Sequence, residues 1–205
     1  MKIIHVLVEG PTEERFIKDI LSPYFETKEI YLNPRNIKGV SKYSIIVNEI
    51  QNLLKDSRVD MVTTMLDFYG LPGDYPEKKN FDGTYTAIQK VLRLEQVLND
   101  QISHPKFLPY LQLHEFEALL FCEVEHFKRI ANTDAVKALQ KMVDSVSSPE
   151  EINDSPHTAP SKRIESQIKS YNKPLHGIVI AKQIGLATMR EKCSHFNQWL
   201  EKLEE

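Results

Sequence analysis

The sequence predicts an α/β fold: a mostly parallel sheet of about four strands flanked by helices, with a helical C-terminal portion. Three observations predict it. Short β-branched runs alternate with amphipathic stretches in the order β-α-β-α-β over the first third of the chain. Two of those runs end in an acid followed by a glycine-containing turn. No convincing strand signal follows Val124.

Lys2–Val8 (KIIHVLV) is a short apolar run, read as a buried strand and broken by Gly10-Pro11-Thr12. Thr12 serves as an N-cap, Glu13 and Glu14 suit a first turn, and Phe16, Ile17, Ile20 and Leu21 form a helical stripe that Ser22-Pro23 ends. Glu29–Leu32 is a second strand, and Ile45, Ile46, Ile50, Leu53 and Leu54 recur at helical spacing. Asp60–Leu66 is a third strand closed by Asp67. Gly70–Gly83 reads as a loop too polar for the core, Thr84–Asp100 as a helix, Phe107–Gln112 as the fourth strand and His114–Glu123 as a helix. Helices around Thr133–Val146, Ser161–Tyr171 and Ile178–Leu203 complete the chain. The expected organisation is an α/β domain over 1–146 and a helical portion over 147–205 packed on it as one structural unit.

The chain has 205 residues, 41% hydrophobic and 27% charged, which suits a core-forming globular protein rather than a disordered one. Its formal net charge of −3 leaves any nucleic-acid contact to local patches, and Pro160–Lys192 is the most basic stretch. Cys122 and Cys193 lack C-x-x-C spacing, which argues against a zinc knuckle or a disulfide framework. The N-terminal apolar run is too short for a signal-peptide core or a membrane span, so the expected location is the cytoplasm, with no membrane partner.

In open α/β sheets the ligand crevice lies at the carboxyl ends of the strands. Glu9 and Asp67 end two strands there, and such a pair suits Mg²⁺, with Mn²⁺ as a possible substitute, because a hard cation takes one or two carboxylates plus water and phosphate oxygens. Glu13 is near enough to join them, or simply complements the helix dipole. On an α-helical wheel Glu117 falls inside the apolar arc of His114–Phe121, where a carboxylate needs a metal or a buried cation, while Glu115 points away. His114-Glu115 lacks the second histidine of H-E-x-x-H, so a zinc protease is not indicated. His114, His157 and His195 are candidate general bases, or structural histidines. G-x-x-x-x-G-K-[ST] is absent, so the chain is not itself a P-loop ATPase.

Val8-Glu9-Gly10-Pro11-Thr12-Glu13 after a strand resembles the first Toprim motif, and Asp67 with Gly70 following resembles the D-x-D motif. HEFEALLF is similar to the downstream acidic helix of Toprim nucleases related to the overcoming-lysogenization-defect proteins. VEGPTEERFI, LDFYGLP, PYLQLHEFEALLF, PEEIN and PSKRI together resemble an uncharacterised bacterial family of Toprim-like proteins over nearly the whole chain. The resemblance implies a Toprim/Rossmann-like fold and Glu9 and Asp67 as ligands of Mg²⁺. It also implies a nucleic-acid substrate, a late lysine (Lys162 or Lys182) that stabilises the transition state, an AAA/ABC-type ATPase partner and a part in phage defence. Tyr69 replaces the second acid of D-x-D, and Glu117, Glu115 or Asp74 could substitute. The expected function is a Mg-dependent nuclease with Glu9, Glu13, Asp67, Glu115 and Glu117 as metal ligands and Lys162, Lys182 and His114 as catalytic groups. The alternatives are a catalytically degenerate module that binds nucleic acid or the ATPase, and an enzyme acting on a small phosphoester.

Overall fold

A computed structural model describes residues 1–39, 41–152 and 156–205. Asn153, the last residue of PEEIN, and its two successors lie outside the described residues. Contacts group the chain into two compact units, Met1–Leu113 with Glu204 and His114–Leu203 with Glu205, whereas the expected organisation divides after 146.

The first unit carries the sheet. Strands β1 (Lys2–Val8), β2 (Ile30–Asn36), β3 (Met61–Asp67), β4 (Phe107–Leu108) and β5 (Leu111–Gln112) run parallel in the order β2-β1-β3-β4, with β5 also on β3. Helical crossovers join successive strands from β1 to β4, as parallel pairing requires. Ile4, Val6, Leu7 and Val8 are fully buried, which is why β1 reads as a mostly apolar run rather than an alternating one. The fourth strand is split at Pro109-Tyr110. Proline offers no ladder donor, and Thr64 takes over there: the Tyr110 amide donates to its Oγ1 at 2.9 Å, and that hydroxyl donates to the Tyr110 carbonyl at 2.7 Å.

The first helix departs from expectation at both ends. Gly10 holds the capping position, Pro11 opens the helix, and Thr12 is buried in the first turn. The helix then passes through Pro23: α1 (Pro11–Phe16) leads by a π turn (Ile17–Leu21) into α2 (Ser22–Glu26). The wider turn absorbs the clash between the proline ring and the carbonyl four residues back, at Asp19.

Helix α3 (Tyr43–Leu54) buries Ile46, Val47 and Ile50, and α4 (Ala87–Ile102) buries Val91, Leu94 and Leu98, in one cluster with Leu7, Val62 and Leu66 of the sheet. A reciprocal Thr86–Gln89 capping box starts α4, and Ser103 ends it in the left-handed region at φ 46°. The 70–83 loop is less polar in its placement than expected. Leu71 and Tyr75 are buried, and the Tyr75 hydroxyl donates to the Leu94 carbonyl of α4 at 3.0 Å.

The second unit is helical. Its centre is Phe116–Cys122, every residue of which is buried, and which is a 3₁₀ helix rather than the expected α-helix. Around it lie α5 (Thr133–Val143), α6 (Pro160–Gln167), α7 (Ile178–Ile184), α8 (Leu186–Lys192) and α9 (Ser194–Glu204). Gly185, at φ 79°, and Cys193 divide the expected Ile178–Leu203 helix into these last three. No helix of the described residues is long and apolar enough to cross a membrane.

Candidate functional site

The chain builds β2 on one side of β1 and then returns to place β3 on the other, so the direction of winding reverses between β1 and β3. Crevices in open α/β sheets form at the carboxyl ends of the strands flanking such a reversal. Val8 is level with Met65 across this pair. Glu9 follows Val8, and Asp67 follows Met65 by two residues, so both acids reach the same rim.

The turn after β3 brings them into one local structure. The Gly70 amide donates to the Asp67 carbonyl at 2.9 Å, and the Glu9 carboxylate lies on Gly70 itself. A Cβ on Gly70 would stand 2.3 Å from Glu9 Oε2 and 2.8 Å from Oε1. Gly70 is outside the left-handed region, so glycine is required here by close approach rather than by backbone conformation. Glu13 is 3% exposed and turns back on Gly10, where a Cβ would meet its Oε2 at 3.1 Å. Its neighbour Glu14 is committed elsewhere, to Lys18 at 2.5 Å and to the Asn36 amide at 3.1 Å.

A lysine that the sequence reading passed over belongs to this rim. Lys78 is partly buried, its amine donates to the Leu71 carbonyl, and the Glu9 charge bears on it. Burial lowers its affinity for a proton, and Glu9 opposes that effect. Lys78 stands in a turn-rich stretch with no periodicity, so nothing local in the sequence distinguishes it from a solvated lysine.

Tyr69, in place of the second acid, packs against the core cluster with its ring 5.4 Å from that of Phe68. Asp74 accepts the Tyr43 amide at 3.0 Å and so caps the start of α3.

The remaining predicted groups lie in the second unit. Glu117 is fully buried as expected. It pairs with Lys173 at 3.2 Å and accepts the Tyr171 hydroxyl at 3.4 Å. Burial pushes its carboxyl up to about 7, against the pull of Lys173. The α-helical wheel reached the right burial with the wrong geometry, because a 3₁₀ helix eclipses positions three apart and stacks Glu117 under Leu120. Glu115 accepts the Ser161 amide at 2.5 Å at the start of α6.

Lys162 is largely exposed and pairs with Glu165 at 2.8 Å, and Lys182 is exposed on α7. His114 is fully buried at φ 61°, with Nε2 2.9 Å from the Glu150 carbonyl. His157 is exposed, while His195 is 7% exposed at the start of α9. Glu150, which the sequence reading did not single out, is buried and accepts the His195 and Phe196 amides at 3.0 and 2.9 Å. It is therefore the N-terminal cap of α9.

Two of the predicted ligands, Glu9 and Asp67, thus stand at the same rim, with Glu13 in the adjacent first turn. Glu115 and Glu117 are each engaged within the second unit. Among the described residues no three His, Cys, Asp or Glu side chains stand together in an arrangement that holds a metal ion.

A family model described as a domain of unknown function (DUF4276) matches residues 8–204. No curated protein and no solved structure matches the chain.

Proposed function

We infer that this chain, which belongs to the DUF4276 family, is a divalent-metal-dependent phosphodiesterase acting on nucleic acid. The observation that carries the reading is the Glu9 carboxylate laid on the Gly70 turn that opens at Asp67, where the winding of the sheet reverses. The donor set suits Mg²⁺: two hard carboxylates, with the rest of an octahedral shell left for water and phosphate oxygens. The absence of a Cβ at Gly70 leaves room for the Glu9 carboxylate there. Glu9 and Asp67 hold the ion, and Glu13 adds negative charge beside them. When bound, the ion polarises the phosphoryl oxygen and lowers the pKa of an attacking water. Lys78 offsets charge on the scissile phosphate as a point cation. The likeness of the Glu9 and Asp67 segments to Toprim motifs supports the same reading, and by that likeness an ATPase partner belongs to the proposal.

One observation favours a second reading. Tyr69 fills the position of an acid with an aromatic ring packed against the core, as in a degenerate module that binds without cleaving. Incubating the protein with single-stranded DNA, duplex DNA, RNA and a small phosphodiester in Mg²⁺ or Mn²⁺ separates the two. Metal-dependent cleavage that falls about 10²-fold or more in Glu9→Gln and Asp67→Asn supports the enzyme. No cleavage by the wild type, or cleavage untouched by both substitutions, sinks it.

A further inference from the structure

The outer part of the sheet in the first unit carries a cleft that the carboxylate rim does not use. It measures about 250 Å³ and is lined by Ile3 and His5 of β1, Tyr31, Asn33 and Arg35 of β2, and Asp56 and Arg58 of the turn after α3. We propose that this cleft is a binding platform for single-stranded nucleic acid. Its floor is the alternating row of side chains on two paired strands, with Ile3 level with Tyr31 and His5 level with Asn33.

Four features argue for that occupant. Tyr31 is a large ring left 45% exposed on an edge strand, and an exposed aromatic face on a sheet is what unstacked bases use. Arg35 lies four residues further along the same face, about 13 Å at the rise of a parallel strand. It is exposed, as is Arg58. The only acid among the lining residues, Asp56, is already gripped by Arg58 at 3.1 and 3.2 Å, so the lining keeps a surplus of positive charge suited to a phosphate backbone.

The fourth feature is His5, whose side chain is 4% exposed. Its Nε2 stands 3.5 Å from Asp56, and its Nδ1 is buried without a hydrogen-bond partner. Burial, with Arg35 and Arg58 nearby, holds this imidazole below its usual pKa in spite of Asp56. With Asn33 level with it, the imidazole makes this stretch of the floor polar, as hydrogen bonding to base edges requires.

The row also has a direction. It runs along β2 toward Asn36, which is level with Val8, the residue before Glu9. A strand lying in the cleft therefore points at the carboxylate rim. The proposal names the substrate class of the phosphodiesterase and rests on that reading for the chemistry, but not for the binding.

The test is fluorescence anisotropy of a fluorescein-labelled fifteen-residue oligothymidylate titrated with the full chain in EDTA. Tyr31→Ala is expected to weaken binding about tenfold through the loss of one stacked base, and Tyr31→Phe to restore it. Arg35→Ala is expected to reduce the slope of log K against log salt by about 0.7, one phosphate contact on a single strand. The same sequence as a duplex is expected to bind more weakly. No binding by the wild type, or binding indifferent to both Tyr31→Ala and Arg35→Ala, overturns the platform. Intact binding without metal-dependent cleavage overturns the phosphodiesterase and leaves the platform standing.

Discussion

Replacing Gly70 with alanine isolates the carboxylate arrangement from the rest of the fold. The backbone at Gly70 is outside the left-handed region, so alanine adds no backbone strain there. What it adds is one methyl group 2.3 Å from Glu9 Oε2, where ordinary contact begins at 3.4 Å. The carboxylate must therefore withdraw by about 1.1 Å, the difference between those distances. Because the obstructed group is the end of a flexible side chain, the stability cost is small, about 1 kcal/mol. A reacting or ligating group displaced by about 1 Å costs on the order of 10²-fold in rate. Thermal denaturation of Gly70→Ala should then stay close to wild type, while Mn²⁺ affinity by calorimetry and kcat/KM for phosphodiester cleavage both fall. A variant with wild-type metal affinity and wild-type cleavage would mean that the contact between Glu9 and the Gly70 turn has no bearing on function.

Two further predictions concern Lys78 and Glu117. Lys78→Ala should lower kcat by about 10²-fold while leaving the Mn²⁺ affinity within a few-fold of wild type, since the amine acts on substrate charge and not on the ion; equal losses in both would make Lys78 part of the metal's own surroundings. Glu117 gives a pH dependence in the second unit. Its carboxyl rises on folding from 4.5 to about 7, so the folded state binds an extra proton between those values and stability falls as pH rises through that window, by about 3 kcal/mol in all. Glu117→Gln keeps a polar partner for Tyr171 and removes the titration. Melting temperature should therefore drop less between pH 5 and pH 8 in the variant than in wild type, and an unchanged drop would refute the assignment.

The parts of the fold that were legible share a physical cause. β1 and β3 are parallel strands buried almost throughout, so Lys2–Val8 and Asp60–Leu66 lack the alternation of a half-exposed strand, and an acid at the end of each stands out against them. The helix at Tyr43–Leu54 was readable because one face alone is buried. The errors came where local chemistry depends on neighbours distant in sequence. Pro23 reads as a stop, but a π turn accommodates it. Phe116–Cys122 has the burial of a core helix but the pitch of a 3₁₀ helix, because its surroundings enclose it on every side.

The candidate site divides in the same way. Glu9 and Asp67 were visible as strand-end acids, and Glu117 as a carboxylate in an apolar arc. That Glu117 meets Lys173 and Tyr171 depends on residues more than fifty positions away. Lys78 acquires its position only when the 70–83 loop folds back toward Glu9. Tyr31, Asn33 and Arg35 alternate visibly, but their exposure depends on β2 being an edge strand, which no local pattern reveals.

The most direct test of the metal centre is an anomalous difference map from crystals of the protein soaked in Mn²⁺. The account predicts a peak at the carboxyl rim of the sheet, within coordination distance of oxygens from both Glu9 and Asp67, about 2.0–2.3 Å for a small divalent ion. A map with no peak there, or with manganese bound only at other carboxylates, contradicts it.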